Sequence, residues 1–259
     1  MKKLIKTIGV ALAFSAFASF GAQASEGGAL KQVDWSFNGA FGQFDKAQLR
    51  RGFQVYREVC SACHSVRLIA FRNLADIGFS EDEIKAIAAE YEVQDGPNDD
   101  GDMFMRPGRP SDRIPGPFAN EKQARAANNG AYPPDLSLMA KARFGGPDYI
   151  HSLLTGYEDA PEGFELGEGM NYNPVFAGAQ IAMVAPISDD MLEYADGTPA
   201  TADQISRDVS AFLMWTAEPS LEARKSLGFR VMLFLVIFTV LFYFINKKVW
   251  KPVKRGEQV

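Results

Sequence analysis

Hydrophobic positions cluster first at the two ends of the chain. Residues 231–245, VMLFLVIFTVLFYFI, run 15 positions without a charge, short of the roughly 20 apolar residues a helix needs to cross a hydrocarbon layer. Leu227, Gly228 and Phe229 before the run and Val249 and Trp250 after it complete the span, with Arg230 and Lys247 snorkelling toward the headgroups. A second apolar stretch, residues 8–20, follows Lys2, Lys3 and Lys6 and precedes Ala22-Gln23-Ala24, the small-x-small pattern a signal peptidase accepts. It is short for an anchor and rich in Ala and Ser, so residues 1–24 read as a cleaved signal peptide and Ser25 as the first mature residue.

Between the ends, the pattern is helical. Phe44-Asp45 followed by Gln48 and Leu49 predicts a staple and a capping box, with Asp45 as N-cap; apolar residues then recur at Leu49, Phe53, Tyr56 and Cys60, one buried face. Gly52 inside that helix costs about 1 kcal/mol against Ala, a cost that close packing against another helix would offset or that the fold simply tolerates. Phe79-Ser80 with Glu83 and Ile84 repeats the signal and opens a helix through Tyr91. Pro147 and Gly156 bracket a helix over 148–155, and Thr201 with Gln204 caps one running to about Ala217, which leads through Pro219 toward the apolar run. Residues 94–120, with QDGPNDDGD and five prolines, read as an irregular surface insertion, and residues 157–187 as a Gly- and Pro-rich loop dotted with Glu158, Asp159, Glu162, Glu165 and Glu168. Strand signals are few, no internal repeat is visible, and the fold class is mainly α with long loop insertions and one C-terminal transmembrane helix.

Charge then gives the segments an address. Lys247, Lys248, Lys251, Lys254 and Arg255 crowd the end of the apolar run, a positive-inside signature. The expected organisation is a signal peptide over 1–24, an exported domain over 25–223, an anchor over 224–250 and a cytoplasmic basic tail over 251–259. The exported domain carries 16 Lys+Arg against 31 Asp+Glu, whereas the whole chain has a formal net charge of only −5. So acidic a domain does not suit nucleic acid; it would steer a basic protein partner.

The chemistry sits in VCSACHSV, residues 59–66, which holds both cysteines and one of the two histidines. A thioredoxin-type disulfide normally occupies a strand-to-helix turn of a βαβ unit, and nothing upstream looks like one. Structural zinc needs four ligands, and two Cys with two His are all the chain has. Cys60-x-x-Cys63-His64 fits the c-type haem attachment pattern: two thiols one turn apart meet the porphyrin's vinyl groups, and the adjacent His64 ligates the iron.

The sixth iron position is less defined. His151 lies on a predicted helix, where a lone histidine is more often a packing residue. Met139 and Met214 have helical neighbours, whereas Met103, Met105, Met170, Met183 and Met191 sit in or beside loops. Spacing does not choose among these five, although Val184-Ala185-Pro186 gives Met183 an apolar surround.

Four segments together, 49–66 (LRRGFQVYREVCSACHSV), 127–157 (ANNGAYPPDLSLMAKARFGGPDYIHSLLTGY), 171–187 (NYNPVFAGAQIAMVAPI) and 208–228 (DVSAFLMWTAEPSLEARKSLG), resemble the cytochrome c1 family, the haem subunits of cytochrome bc1 complexes. The resemblance runs in order along the whole mature chain. It implies one haem c held by Cys60 and Cys63, with His64 and Met183 as iron ligands. It further implies Arg143 beside a haem propionate, a charge-assisted pair, and Asn128, Pro134 and Tyr149 lining the pocket.

The family's role implies partners: cytochrome b, a Rieske iron–sulfur protein as electron donor and a basic cytochrome c as acceptor, in a dimeric complex of the bacterial inner membrane with the haem domain periplasmic. The chain itself would be a relay, and the enzyme the whole quinol–cytochrome c oxidoreductase. Two other classes keep parts of the pattern: an anchored c-type cytochrome of another respiratory complex, and a periplasmic thiol–disulfide oxidoreductase. One departure is informative. Some bacterial relatives carry a cysteine pair in the loop before the methionine ligand, and this chain has no third cysteine, so that loop has only packing and the haem to hold it.

Overall fold

A computed structural model describes residues 28–256; the expected signal peptide lies outside the described residues. The structure is mainly helical. Helix α1 spans Lys46–Glu58 and is followed by a 3-10 turn, Cys60–Ala62, and a second 3-10 segment, Phe71–Ile77. Helix α2 is Glu81–Ala89, α3 Glu121–Ala127, α4 Met139–Ala142, α5 Pro147–Leu154 and α6 Ala202–Ala217. Helix α7, Leu221–Val249, and a short α8, Lys251–Arg255, close the chain.

Local chemistry sets most helix starts. Asp45 accepts the N–H groups of Ala47 and Gln48 at 2.9 and 3.3 Å, and Thr201 accepts that of Gln204 at 3.2 Å, satisfying donors that have no intrahelical partner. Ser80 and Glu83 form the full reciprocal box. At α1 only half of the expected box forms among the described residues: Gln48 makes no return bond to the Asp45 N–H, and the preceding Phe44 N–H donates to Glu222 at the head of α7, 2.8 Å away. Helix α2 stops at Ala89 rather than Tyr91, and α5 begins at Pro147 itself.

The core is built where α1 crosses α6. Gly52 faces Asp208: a Cβ placed on Gly52 would stand 2.7 Å from the Phe212 Cβ and closer still to the Asp208 carbonyl oxygen, so only glycine lets the two backbones meet. Phe53, Tyr56 and Trp215 gather round Phe212 with ring centroids 5.7–5.8 Å apart. Beside this cluster the fully buried Asp208 carboxylate takes Arg51 at 2.9 Å and the Gln204 amide at 2.8 Å, and Arg51 also reaches Asp196 at 2.7 Å. The N-terminal arm lies along α5: Lys31 N–H donates to Ser152 Oγ, and Asp148 accepts both the Val33 N–H and the Trp35 indole N–H.

The two stretches expected to be irregular each contain a small antiparallel ladder. Strands β1 (Glu92–Asp95) and β2 (Phe104–Pro107) pair as a hairpin, and β3 (Asn171–Tyr172) pairs with β4 (Gln180–Ile181). Four-residue and two-residue strands are too short to leave a period-2 signal. The first hairpin is held instead by Arg106, whose guanidinium bridges Asp95 and, at 2.6 Å, Asp112. Helix α7 has 29 residues, about 44 Å at 1.5 Å per residue, and is long and apolar enough to cross a membrane. Its first turn belongs to the folded domain: Leu221 is buried, and the Lys225 ammonium donates to the carbonyls of Phe37 and Gly42 at 2.6 and 3.1 Å.

Candidate haem attachment site

Helix α1 delivers the cysteines. As it ends, the chain tightens into the 3-10 turn, and the Cys60 carbonyl accepts the N–H groups of both Cys63 and His64, at 3.1 and 2.8 Å. The sulfurs are unpaired; Cys60 is half-buried against the core and Cys63 is exposed. Burial pushes the Cys60 thiol up to about 12, so it is protonated at neutral pH. The described residues contain no group of three or more His, Cys, Asp or Glu able to hold a metal ion.

A seam between two distant segments orients His64. Its Nδ1 lies 2.8 Å from the Pro134 carbonyl oxygen. A carbonyl only accepts, so Nδ1 carries the hydrogen, and the lone pair is on Nε2, which makes no hydrogen bond or ion pair among the described residues. Burial holds the ring's pKa below its ordinary value despite the Pro134 carbonyl and the nearby Asp135. Neutral imidazole with one nitrogen fixed by a backbone acceptor is the form that ligates iron. From α1, the buried Tyr56 hydroxyl donates to the His64 carbonyl at 3.1 Å.

Asp135 fastens the seam, and the sequence reading did not single it out. One carboxylate oxygen accepts from the Ser65 hydroxyl at 2.7 Å and the Arg67 N–H at 3.0 Å, and the other from the Ser137 N–H at 3.0 Å. Burial works against its charge, but these donors outweigh it and keep the carboxyl below its usual range. The Ser137 hydroxyl in turn accepts the Leu68 N–H, and the Leu136 N–H meets the Ser65 carbonyl at 2.8 Å. The Asp-x-Ser spacing after two prolines was the available signal, since Asp side chains bond the backbone two residues on.

The remaining candidates fall in four places. Asn128 ends α3, its amide donating to the Ala124 carbonyl at 2.7 Å. Arg143 follows α4, exposed, donating to the Ala142 carbonyl at 3.2 Å and making no ion pair among the described residues. Tyr149 is buried on α5, close enough to Tyr157 beyond that helix to help raise the Tyr157 phenol's pKa, whose larger cause is burial. Met183 is half-buried two residues past β4, and its carbonyl accepts from the Tyr157 hydroxyl at 3.1 Å and the Asn171 amide at 3.3 Å.

Apart from Met170, half-buried just before β3, the other possible iron ligands are engaged or displayed elsewhere. Both nitrogens of the buried His151 have protein partners, Ser206 Oγ at 3.0 Å and Asp203 at 3.3 Å. Met103 and Met105 stand more than half exposed on the first hairpin. The Met191 sulfur accepts the Ser188 N–H at 3.4 Å, and Met139 and Met214 pack against the core.

The donor set fits a covalently held haem. Two thiols flank one tight turn, and the neutral imidazole next to them has a nitrogen without a partner among the described residues; the half-buried Met183 and the exposed Arg143 stand on other segments. Apolar side chains flank the seam and the thioether: Leu68 and Leu138 are half exposed and Val184 is 67% exposed, surface that an apolar ring would cover. Such a site defines a c-type cytochrome, and comparison with known proteins narrows the class. The model of the "Cytochrome C1 family" matches residues 35–253, and the chain belongs to that family. It is 50% identical to cytochrome c1 of Rhodospirillum rubrum, with 98% of each chain covered. It is 53% identical to the cytochrome b-c1 complex catalytic subunit of Candida albicans, over 85% of this chain and 77% of that one. It is also 52% identical to the cytochrome b/c1 protein of Bradyrhizobium diazoefficiens, over 83% of this chain but only 35% of that longer polypeptide.

Proposed function

We propose that the chain is the haem-bearing electron relay of a quinol–cytochrome c oxidoreductase. It would accept electrons from a Rieske iron–sulfur protein and pass them to a basic cytochrome c. Cys60 and Cys63 anchor one haem c as thioethers, His64 Nε2 and the Met183 sulfur ligate its iron, and the Arg143 guanidinium pairs with a propionate. Asn128, Pro134 and Tyr149 line the pocket, Pro134 through the carbonyl that fixes the His64 ring. When bound, the haem supplies reversible one-electron exchange, and a His/Met pair places its potential high. The observation that carries the reading is the His64–Pro134 hydrogen bond, which leaves one imidazole nitrogen free next to two unpaired thiols.

The surroundings support the partners. Glu158, Asp159, Glu162, Glu165 and Glu168 are all exposed, without ion pairs among the described residues, on the loop leading to Met183. Long-range attraction to such a face speeds encounter with a basic cytochrome while leaving release fast. Relatives named for cytochrome b/c1 and for a cytochrome b-c1 complex support assembly with cytochrome b; that the complex is dimeric is part of the proposal. The α7 helix and its basic end support a single-pass protein of a bacterial inner membrane, haem domain on the periplasmic side.

Haem staining of the denatured, purified chain tests the attachment. Covalent haem on the wild type, lost from the Cys60→Ala/Cys63→Ala variant, is expected; a colourless protein whose two thiols react with an alkylating reagent would overturn the assignment. Co-purification with cytochrome b and the Rieske protein tests the complex.

A further inference from the structure

Met183 presents a mechanical problem. A thioether is a neutral, weak donor on a flexible side chain, and the loop of residues 157–187 that carries it has no disulfide to hold it. Yet two side chains from separate elements converge on the Met183 carbonyl oxygen. The Tyr157 hydroxyl reaches it at 3.1 Å from just beyond α5. The Asn171 amide reaches it at 3.3 Å from β3 and also meets the Ile181 carbonyl at 3.5 Å. Both bonds land on the backbone and leave the sulfur unengaged.

The supports are themselves fixed. Helix α5 packs on α6 through the buried His151–Ser206 contact. The Asn173 amide donates to the Leu153 carbonyl at 2.8 Å, tying the chain beyond β3 back to α5. Asn171 faces Ile181 in the β3–β4 ladder, two residues before Met183. Tyr157 has only two side-chain torsions, so a bond from it costs little ordering.

We propose that Tyr157 and Asn171 are positioning residues, a two-point clamp that holds the Met183 backbone so that its sulfur stays on the iron. The inference rests on Met183 being the iron's second ligand. Each bond biases an equilibrium between sulfur-on and sulfur-off forms, so removing one raises the sulfur-off population about fivefold, and removing both raises it further, the two effects being coupled through the shared carbonyl oxygen.

Carbon monoxide added to the reduced, haem-loaded full-length protein in detergent reads that population, because it binds only where the sulfur has left. The methionine-to-iron absorption band and the reduction potential report the same event. Tyr157→Phe and Asn171→Leu keep shape and remove the donors. Phe164→Leu, which loosens the ring contact with Tyr172 at a 5.0 Å centroid separation, disturbs the same loop without touching the clamp. The expected result is covalent haem in all variants, with carbon monoxide binding raised and the band weakened in Tyr157→Phe and Asn171→Leu, more so in the double variant, and little change in Phe164→Leu. Wild-type carbon monoxide binding in the double variant would overturn the clamp, as would an equal rise in Phe164→Leu. Met183→Leu separates the two levels: if it too leaves the band and carbon monoxide binding unchanged, the ligand assignment falls; if it opens the iron while the double variant does not, the clamp alone falls.

Discussion

Gly52 of α1 lies directly against the backbone carbonyl of Asp208 on α6, with no room between the two helices for a methyl group. Replacing Gly52 with Ala adds intrinsic helix stability of about 1 kcal/mol but forces α1 away from α6. Overpacking against backbone costs about 1–3 kcal/mol or more, so the helix-propensity gain is overridden. Gly52→Ala is expected to melt at a lower temperature and denaturant concentration than the wild type. A rise in either midpoint would show that the helices do not meet there.

The same crossing buries an ion pair. Arg51→Met leaves the Asp208 carboxylate with the Gln204 amide but without its cation, an uncompensated buried charge worth about 3–5 kcal/mol of lost stability. Adding Asp208→Asn removes the charge as well. The double variant is expected to recover a substantial part of the loss in chemical denaturation; strict additivity of the two substitutions would contradict the pairing.

Asp135 gives the seam a pH dependence whose sign follows from its lowered pKa. A carboxyl that ionises more readily when folded contributes stability above its unfolded pKa of about 3.9, and that contribution fades as pH falls through the lower folded value. Asp135→Asn is therefore expected to melt below the wild type at pH 7, with the gap narrowing below about pH 4. Melting curves of both proteins from pH 7 to pH 3 give the comparison, and a constant gap would contradict the assignment.

Much of this was legible in the sequence because it is written locally. Asp45, Ser80 and Thr201 announce helix starts within three residues, the apolar run announces α7 by composition, and Cys60, Cys63 and His64 sit inside one pentapeptide. Gly52 stood out as a glycine needing a reason, and the crossing supplies one. Contacts between distant positions were not legible. The His64–Pro134 and Ser65–Asp135 bonds each span 70 residues, and the Tyr157–Met183 bond spans 26; no spacing rule reaches so far. The first hairpin was missed for another reason: its pairing depends on Arg106 bridging Asp95 and Asp112, charges that by themselves read as a solvated loop.

Lys225 joins the domain to its long helix. Lys225→Met removes donors to the Phe37 and Gly42 carbonyls and is expected to cost about 1 kcal/mol, because the group is partly solvated. It is also expected to speed proteolytic nicking of residues 38–43. Unchanged cleavage rates would mean the loop is held by other contacts.

That junction is short and tied down. Helix α6 ends at Ala217 and α7 begins at Leu221, and Glu218 between them is gripped at 2.5 Å by both Lys141 and Arg224. With α7 set in a bilayer, the redox centre would stand at a fixed height and facing, like a lamp on a post rather than a float on a tether. On the proposed function, any gap to be crossed would then fall to the partners on either side.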